Sequence, residues 1–310
     1  MAPFAFYIAR ARRRRGIWRS LLGLTLISIT YLITTFAALL LLETDELSSV
    51  HFESVDMFIQ DGLGAVFWEL EDRFRNSDNA LIAMILLGFS GTWLGTWIVV
   101  RRLHRRSFAS VFGPPGTRSL SGFMTGAAFW ALMFVTFSAI HTAVLGLPEG
   151  GQPGTRPEVW ILWIAPMVVL TFVQAAGEEI VFRGYLMQQL AARSSSWLIW
   201  ALLPSILFGL GHHDGTEIGH LYVFAAMLTG LMLSVVVWRA GSLWPAIGWH
   251  VSNNIYALCI VSSDPDFGPV ALWYYPDVDL AELLKIDCVA STILLLAVLS
   301  PAGRIFDARR

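Results

Sequence analysis

The chain has 310 residues, of which 55% are hydrophobic and only 14% are charged, with a mean hydropathy of +0.61. Soluble globular chains carry about 25% charged residues, so this composition excludes an ordinary soluble enzyme and points to a lipid bilayer. The net charge of −2 gives no electrostatic footprint for a nucleic-acid partner.

A transmembrane helix needs roughly 20 apolar residues. In chain order, the candidate stretches are 20–42, 80–100, 122–146, 159–180, 197–212, 219–238, 245–263 and 286–303. The fifth is short and the fourth runs on past the bilayer. The apolar runs are continuous rather than alternating, which favours helices over barrel strands. They predict an all-α integral membrane bundle of about eight transmembrane helices, forming a single membrane domain over 1–310 with no separate soluble domain. The first stretch follows Arg10, Arg12, Arg13, Arg14, Arg15 and Arg19. Its length, with no small-residue cleavage site behind it, reads as a retained helix rather than a signal peptide.

The loops alternate in charge. Arginines mark the N-terminus, the stretch after the second helix (Arg101, Arg102, Arg105, Arg106), the turns at Arg193 and Arg239, and the tail at Arg304, Arg309 and Arg310. The intervening loops are acidic: residues 43–79 hold ten carboxylates against two arginines, and 264–282 holds Asp264, Asp266, Asp277, Asp279 and Glu282. Positive charge stays cytoplasmic, so both termini are expected inside, in a multi-pass protein of the cell membrane. Arg12 to Arg15 serve as a topology anchor, with lipid binding as the sharper alternative. Cys259 and Cys288 both fall in predicted spans and read as small core residues.

Ionisable residues inside a membrane are costly and point to function. Three groups stand out: Glu178-Glu179-x-x-x-Arg183, Phe208-x-x-x-His212 and His250-x-x-x-Asn254. Residues four apart share a helix face, so Glu179 and Arg183 are expected to pair. Glu178 lies about 100° round the helix and is left without a local partner. A partly desolvated carboxylate beside trapped water can act as a general base. Alternatively, both glutamates serve only to lock helices to the arginine.

The turn at 192–197 lies midway between Glu178 and His212, so an antiparallel hairpin puts those two at one height. His250 lies about six residues inside the 239–245 turn, roughly 9 Å deep. Together these predict a cavity in the cytoplasmic half. Asn254 can instead simply bond two helices. Phe208 reads as packing, the glycines beside it as close helix approach, and His213 and His220 as bystanders near the outer loop.

In this order, the stretches "EEIVFRGYL", "SILFGLGH" and "GSLWPAIGWHVSNN" resemble the CPBP family of CAAX-processing and bacteriocin-processing intramembrane proteases, also called Abi proteins. The resemblance covers about 159–260, the expected catalytic core, and no motif position departs from it. It implies an eight-helix glutamic endopeptidase in which Glu178 activates water, His212 orients or stabilises it, and His250 with Asn254 stabilises the oxyanion. Arg183 would hold Glu179, both supporting the site. The implied partners are the lipid bilayer and a membrane-associated protein or peptide substrate. The family's namesake substrates are prenylated, although no residue here reads a prenyl group.

Rival readings are a zinc-dependent protease, a proton-relay transporter and a non-catalytic immunity or binding protein. Glutamate with two histidines could ligate zinc, but no His-Glu-x-x-His occurs, so no cofactor and no metal is expected. A transporter should show repeats in matching halves, and none is found.

Overall fold

The computed structural model describes residues 2–40, 78–116, 119–146 and 149–307. The acidic 43–79 stretch falls almost wholly outside the described residues. The chain is helical almost throughout. A short α1 (Ala2–Ile8) precedes α2 (Ile17–Leu39), α3 (Asp78–Gly88) and α4 (Ser90–Ile98). Then come α5 (Ser119–Leu145), α6 (Pro157–Glu179) and α7 (Met187–Ala191), followed by α8 (Leu203–Leu210), α9 (Gly219–Ala240), α10 (Trp244–Ile255) and α11 (Leu280–Leu299).

Among the described residues, five helices are long and apolar enough to cross a membrane: Ile17–Leu39, Leu81–Leu103, Ser119–Val144, Pro157–Ala191 and Gly219–Ala240. Leu198–Leu210 is apolar but shorter, as its sequence suggested. The fourth predicted span is the longest, 35 residues, and extends beyond a bilayer's needs of roughly 20. Among the described residues, each of the eight predicted stretches is largely helical, and five meet the length and polarity of a crossing. Helix α10 is 12 residues long, and α11 carries Glu282, Lys285 and Asp287 in its first half. The long helices expose large apolar side chains, Leu120 at 74%, Leu162 at 76% and Val135 at 62% among them. So many exposed large apolar side chains suit hydrocarbon rather than water.

Wide π-helical turns interrupt the α-helices at Val99–Leu103, Ile180–Leu186, Leu198–Leu202 and Tyr256–Ile260. The second joins α6 to α7. Residues 183–192 are all buried, with no exposed face, so the end of this long helix sits inside the protein rather than in lipid. The core gathers Ile180, Met187, Leu233, Val236, Leu243 and Ile247, where α6, α9 and α10 meet. Helix α10 packs between α5 and α6, α9 packs between α8 and α11, and α2 lies on α3 and α4.

The arginine-bearing loops gather at one end. The His104 ring bonds the Arg14 carbonyl, Arg15 donates to the Ala192 carbonyl, and Arg193 donates to Ser20. Gly241 ends α9 with φ +60, and a Cβ there would lie 2.7 Å from the backbone of Pro3. Both the left-handed conformation and the close pass of α1 therefore require glycine. Tyr7 on α1 is fully inserted, its hydroxyl donating to the carbonyls of Val111 and Arg183 at 3.1 Å each. At the opposite end, three two-residue strands form a small sheet in the order β1–β3–β2. Here β1 is Gln152–Pro153, β2 is Val261–Ser262 and β3 is Trp273–Tyr274, antiparallel to β1 and parallel to β2. Cys259 is buried and Cys288 half-buried, both as free thiols.

Candidate active site

The site forms where the end of α6 faces α10. Arg183 Nη1 donates to Glu179 Oε1 at 2.7 Å, with both side chains 0% exposed. This is the pair that a spacing of four residues predicts. His250 comes in from α10 and places its Nδ1 2.9 Å from the same Glu179 oxygen. A carboxylate can only accept, so Nδ1 carries the hydrogen and donates. The other ring nitrogen, Nε2, then faces Glu178 Oε2 at 3.5 Å, longer than a direct hydrogen bond.

His250 therefore sits between the two adjacent carboxylates, which leave the helix in different directions. Glu178 is 13% exposed, and its Oε2 has no hydrogen-bond partner in the described structure. Glu179 is fully enclosed. The charges do not cancel. Two carboxylates and one guanidinium leave one negative charge, which a proton on His250 or Glu178 would balance.

One turn further out, Asn254 Nδ2 donates to Gln174 Oε1 at 2.9 Å. Gln174 precedes Glu178 by four residues and Asn254 follows His250 by four, so antiparallel α6 and α10 meet in two successive polar rungs. The outer rung continues sideways: Trp130 Nε1 donates to Asn253 Oδ1, and Asn253 Nδ2 donates to Asn254 Oδ1, at 3.2 Å each. Asn254 thus has a helix-bonding role, the plainer of its two expected readings, at the edge of the site.

Phe208 packs against the charged pair. The Arg183 guanidinium lies 4.4 Å from its ring centroid, a cation–π contact, while the rings of His212, Phe182 and His250 lie 4.5, 5.2 and 6.0 Å away. His212 itself is exposed at the end of α8, its Nδ1 bonded to the Phe208 carbonyl at 2.8 Å. Among the described residues, no hydrogen bond or ion pair joins His212 to Glu178. It reaches the site through the Phe208 ring. Among the described residues, His213 and His220 bond within their local turns.

Gly230 on α9 closes the site from behind. A Cβ there would lie 2.7 Å from Arg183 Nη2 and 3.3 Å from the Phe208 ring. Sequence reasoning missed Gln174, Gly230 and the contact of His250 with both glutamates. Only Gln174 had a signal, its spacing of four from Glu178. Among the described residues, no three His, Cys, Asp or Glu side chains form a metal-ligand group.

Residues 159–256 match the family model of the type II CAAX prenyl endopeptidases, Rce1-like. The chain is also similar to a protein of Bacillus subtilis (strain 168) called "Uncharacterized protein YyaK", 26% identical over 170 residues. That match spans 54% of this chain and 56% of the relative, so the chain spans little more than half the length of the curated relative it matches. No solved structure matches. The segment that places Glu178, Glu179, Arg183, His212, His250 and Asn254 is therefore similar to the Rce1-like proteins of the CPBP family, a family of membrane proteases.

Proposed function

We propose that this protein is an intramembrane glutamic endopeptidase, hydrolysing a peptide bond of a membrane-associated protein or peptide with water activated by Glu178. The observation that carries this reading is the division of labour between two neighbouring carboxylates. Glu179 is neutralised by Arg183 and orients His250, whereas Glu178, whose side chain is 13% exposed, keeps a buried oxygen without a hydrogen-bond partner opposite the other nitrogen of that ring.

In the reaction, Glu178 takes a proton from water as the water oxygen attacks the carbonyl carbon. The carbonyl oxygen becomes an oxyanion, which needs a donor. His250, protonated at Nε2, can supply one from within the site, and one such donor contributes on the order of 3 kcal/mol to the barrier. Collapse breaks the C–N bond, and the proton held by Glu178 passes to the leaving amine. His212, exposed and packed on the Phe208 ring, suits a role at the substrate's entry to the site. The donor set favours water activated without metal, because Glu179 and His250 are committed to each other rather than converging on a common point. The name of the matching family points to substrates processed near a prenylated C-terminus, and the exposed apolar helix faces suit a lipid-anchored substrate.

The test is Glu178→Gln in the full chain. Folding should survive, because the side chain keeps its shape at a partly exposed position, while peptide cleavage falls by about 10²-fold or more, the general-base range. Exhaustive chelation should leave the wild type active. Full turnover by folded Glu178→Gln would sink the proposal, and activity lost on chelation and restored by zinc would sink its metal-free part.

A further inference from the structure

A second cluster of ionisable groups lies at the arginine-rich end, outside the candidate active site. Trp97, Arg101, Arg102, Arg105, Arg106 and Ser107 line a cavity of about 440 Å³, within the roughly 300–1,000 Å³ of ligand pockets. Arg101, Arg102 and Arg105 are exposed, but Arg106 is only 8% exposed. Among the described residues, none of the four forms an ion pair with a carboxylate. Arg106 Nη1 donates to Ser110 and to Gln188, while Nε and Nη2 have no partner.

Those two nitrogens form the guanidinium edge that takes carboxylate or phosphate oxygens in a bidentate manner. A buried cation without an anion is costly. Burial, with the nearby charge of Arg10 adding to it, pushes Arg106 down to about 10, so the group is still charged at neutral pH. Arg105 also holds a left-handed backbone, with φ +50, a costly conformation for a residue with a side chain. Four cations round one cavity exceed what a single carboxylate balances, and a phosphate-class anion suits them better. The cavity lies just past the span Leu81–Leu103, and Trp97, 44% exposed, borders it. Tryptophan at a span's end sits at headgroup level.

We propose that this cavity is a phosphate-binding site at the bilayer surface, taking the headgroup of an anionic phospholipid or a free phosphate anion, with the Arg106 edge as its anchor. Anion binding here would also hold Gln188, and with it the buried extension of the catalytic helix. The inference does not depend on the peptidase reading.

The test uses the full chain in an uncharged detergent. One arm titrates phosphatidylglycerol against phosphatidylcholine and counts bound lipid by native mass spectrometry. The other titrates inorganic phosphate and follows thermal unfolding. One phosphatidylglycerol should be retained per chain in preference to phosphatidylcholine. Replacing Arg101, Arg102 and Arg105 together by glutamine should weaken that binding by about tenfold or more, because these are exposed side chains whose loss leaves the core intact. The same loss of charge at Arg12, Arg13 and Arg304 should not. Arg106→Lys keeps the charge but loses the fork, and should weaken binding in folded protein. Binding of inorganic phosphate alone, lost in the pocket triple, would also support the site and identify a soluble ligand. Binding of neither, equal weakening by both triples, or unchanged binding by Arg106→Lys would overturn it.

Discussion

Glu179→Gln removes one charge from a fully enclosed ion pair and changes almost no volume. The Oε1 of glutamine can still accept from Arg183 Nη1 and from His250 Nδ1, so both bonds at 2.7 and 2.9 Å can survive in form. The lost quantity is the negative charge. Arg183, 0% exposed with Nε and Nη2 already unpartnered, loses its bonded counter-charge and keeps only the unbonded Glu178 carboxylate, at a cost of up to about 3–5 kcal/mol. The Phe208 ring at 4.4 Å gives no relief, because it is present in the wild type as well. Replacing the pair together, Glu179→Leu with Arg183→Met, removes both charges and should recover most of this loss, since apolar replacement of a buried pair is often neutral or stabilising. The double variant still strands His250 Nδ1 without its acceptor, at about 1–3 kcal/mol, and should be inactive although folded. Thermal unfolding of purified protein in detergent reads the order: wild type, then the double variant, then Glu179→Gln. A Glu179→Gln protein that melts with the wild type would refute the assignment of Glu179 as the counter-charge of Arg183.

Other substitutions probe the walls of the site. Gly230→Ala puts a methyl 2.7 Å from Arg183 Nη2 and should cost about 1–3 kcal/mol by overpacking, seen as a lower unfolding temperature; an unchanged one would show that the guanidinium moves aside freely. Asn254→Ala and Gln174→Ala should each cost about 1 kcal/mol and be non-additive, because they remove the same bond of 2.9 Å; strict additivity in a double-mutant cycle would show that the outer rung is not formed. Reporter fusions at the C-terminus should report a cytoplasmic position and insertions within 43–79 an outside one, and the reverse pattern would overturn the charge-based topology.

Patterns within one helix were legible in the sequence, and contacts between helices were not. The spacing of Glu179 and Arg183 fixed their pairing because both ride on one helix. The 35-residue reach of the fourth span was visible as an apolar run too long for a bilayer. The bridging of Glu178 and Glu179 by His250 depends on how α6 packs on α10, which no local pattern encodes. His212 shows the limit of counting residues: equal distance from a turn sets height but not facing, and the contact that its ring makes is with Phe208. The eight apolar stretches identified helices, and length and residual charge set α8, α10 and α11 apart from the five long spans among the described residues.

The docking of α1 orders events in time. Tyr7 bonds carbonyls that lie 104 and 176 residues later in the chain. At about 5–20 residues per second, its acceptor on Arg183 leaves the ribosome roughly 9–35 s after Tyr7 does. Through that interval the docking site of the first helix is incomplete. The lock on the glutamate-bearing helix can close only once that helix has been made, so a nascent chain halted before it would hold an exposed tyrosine and no assembled site.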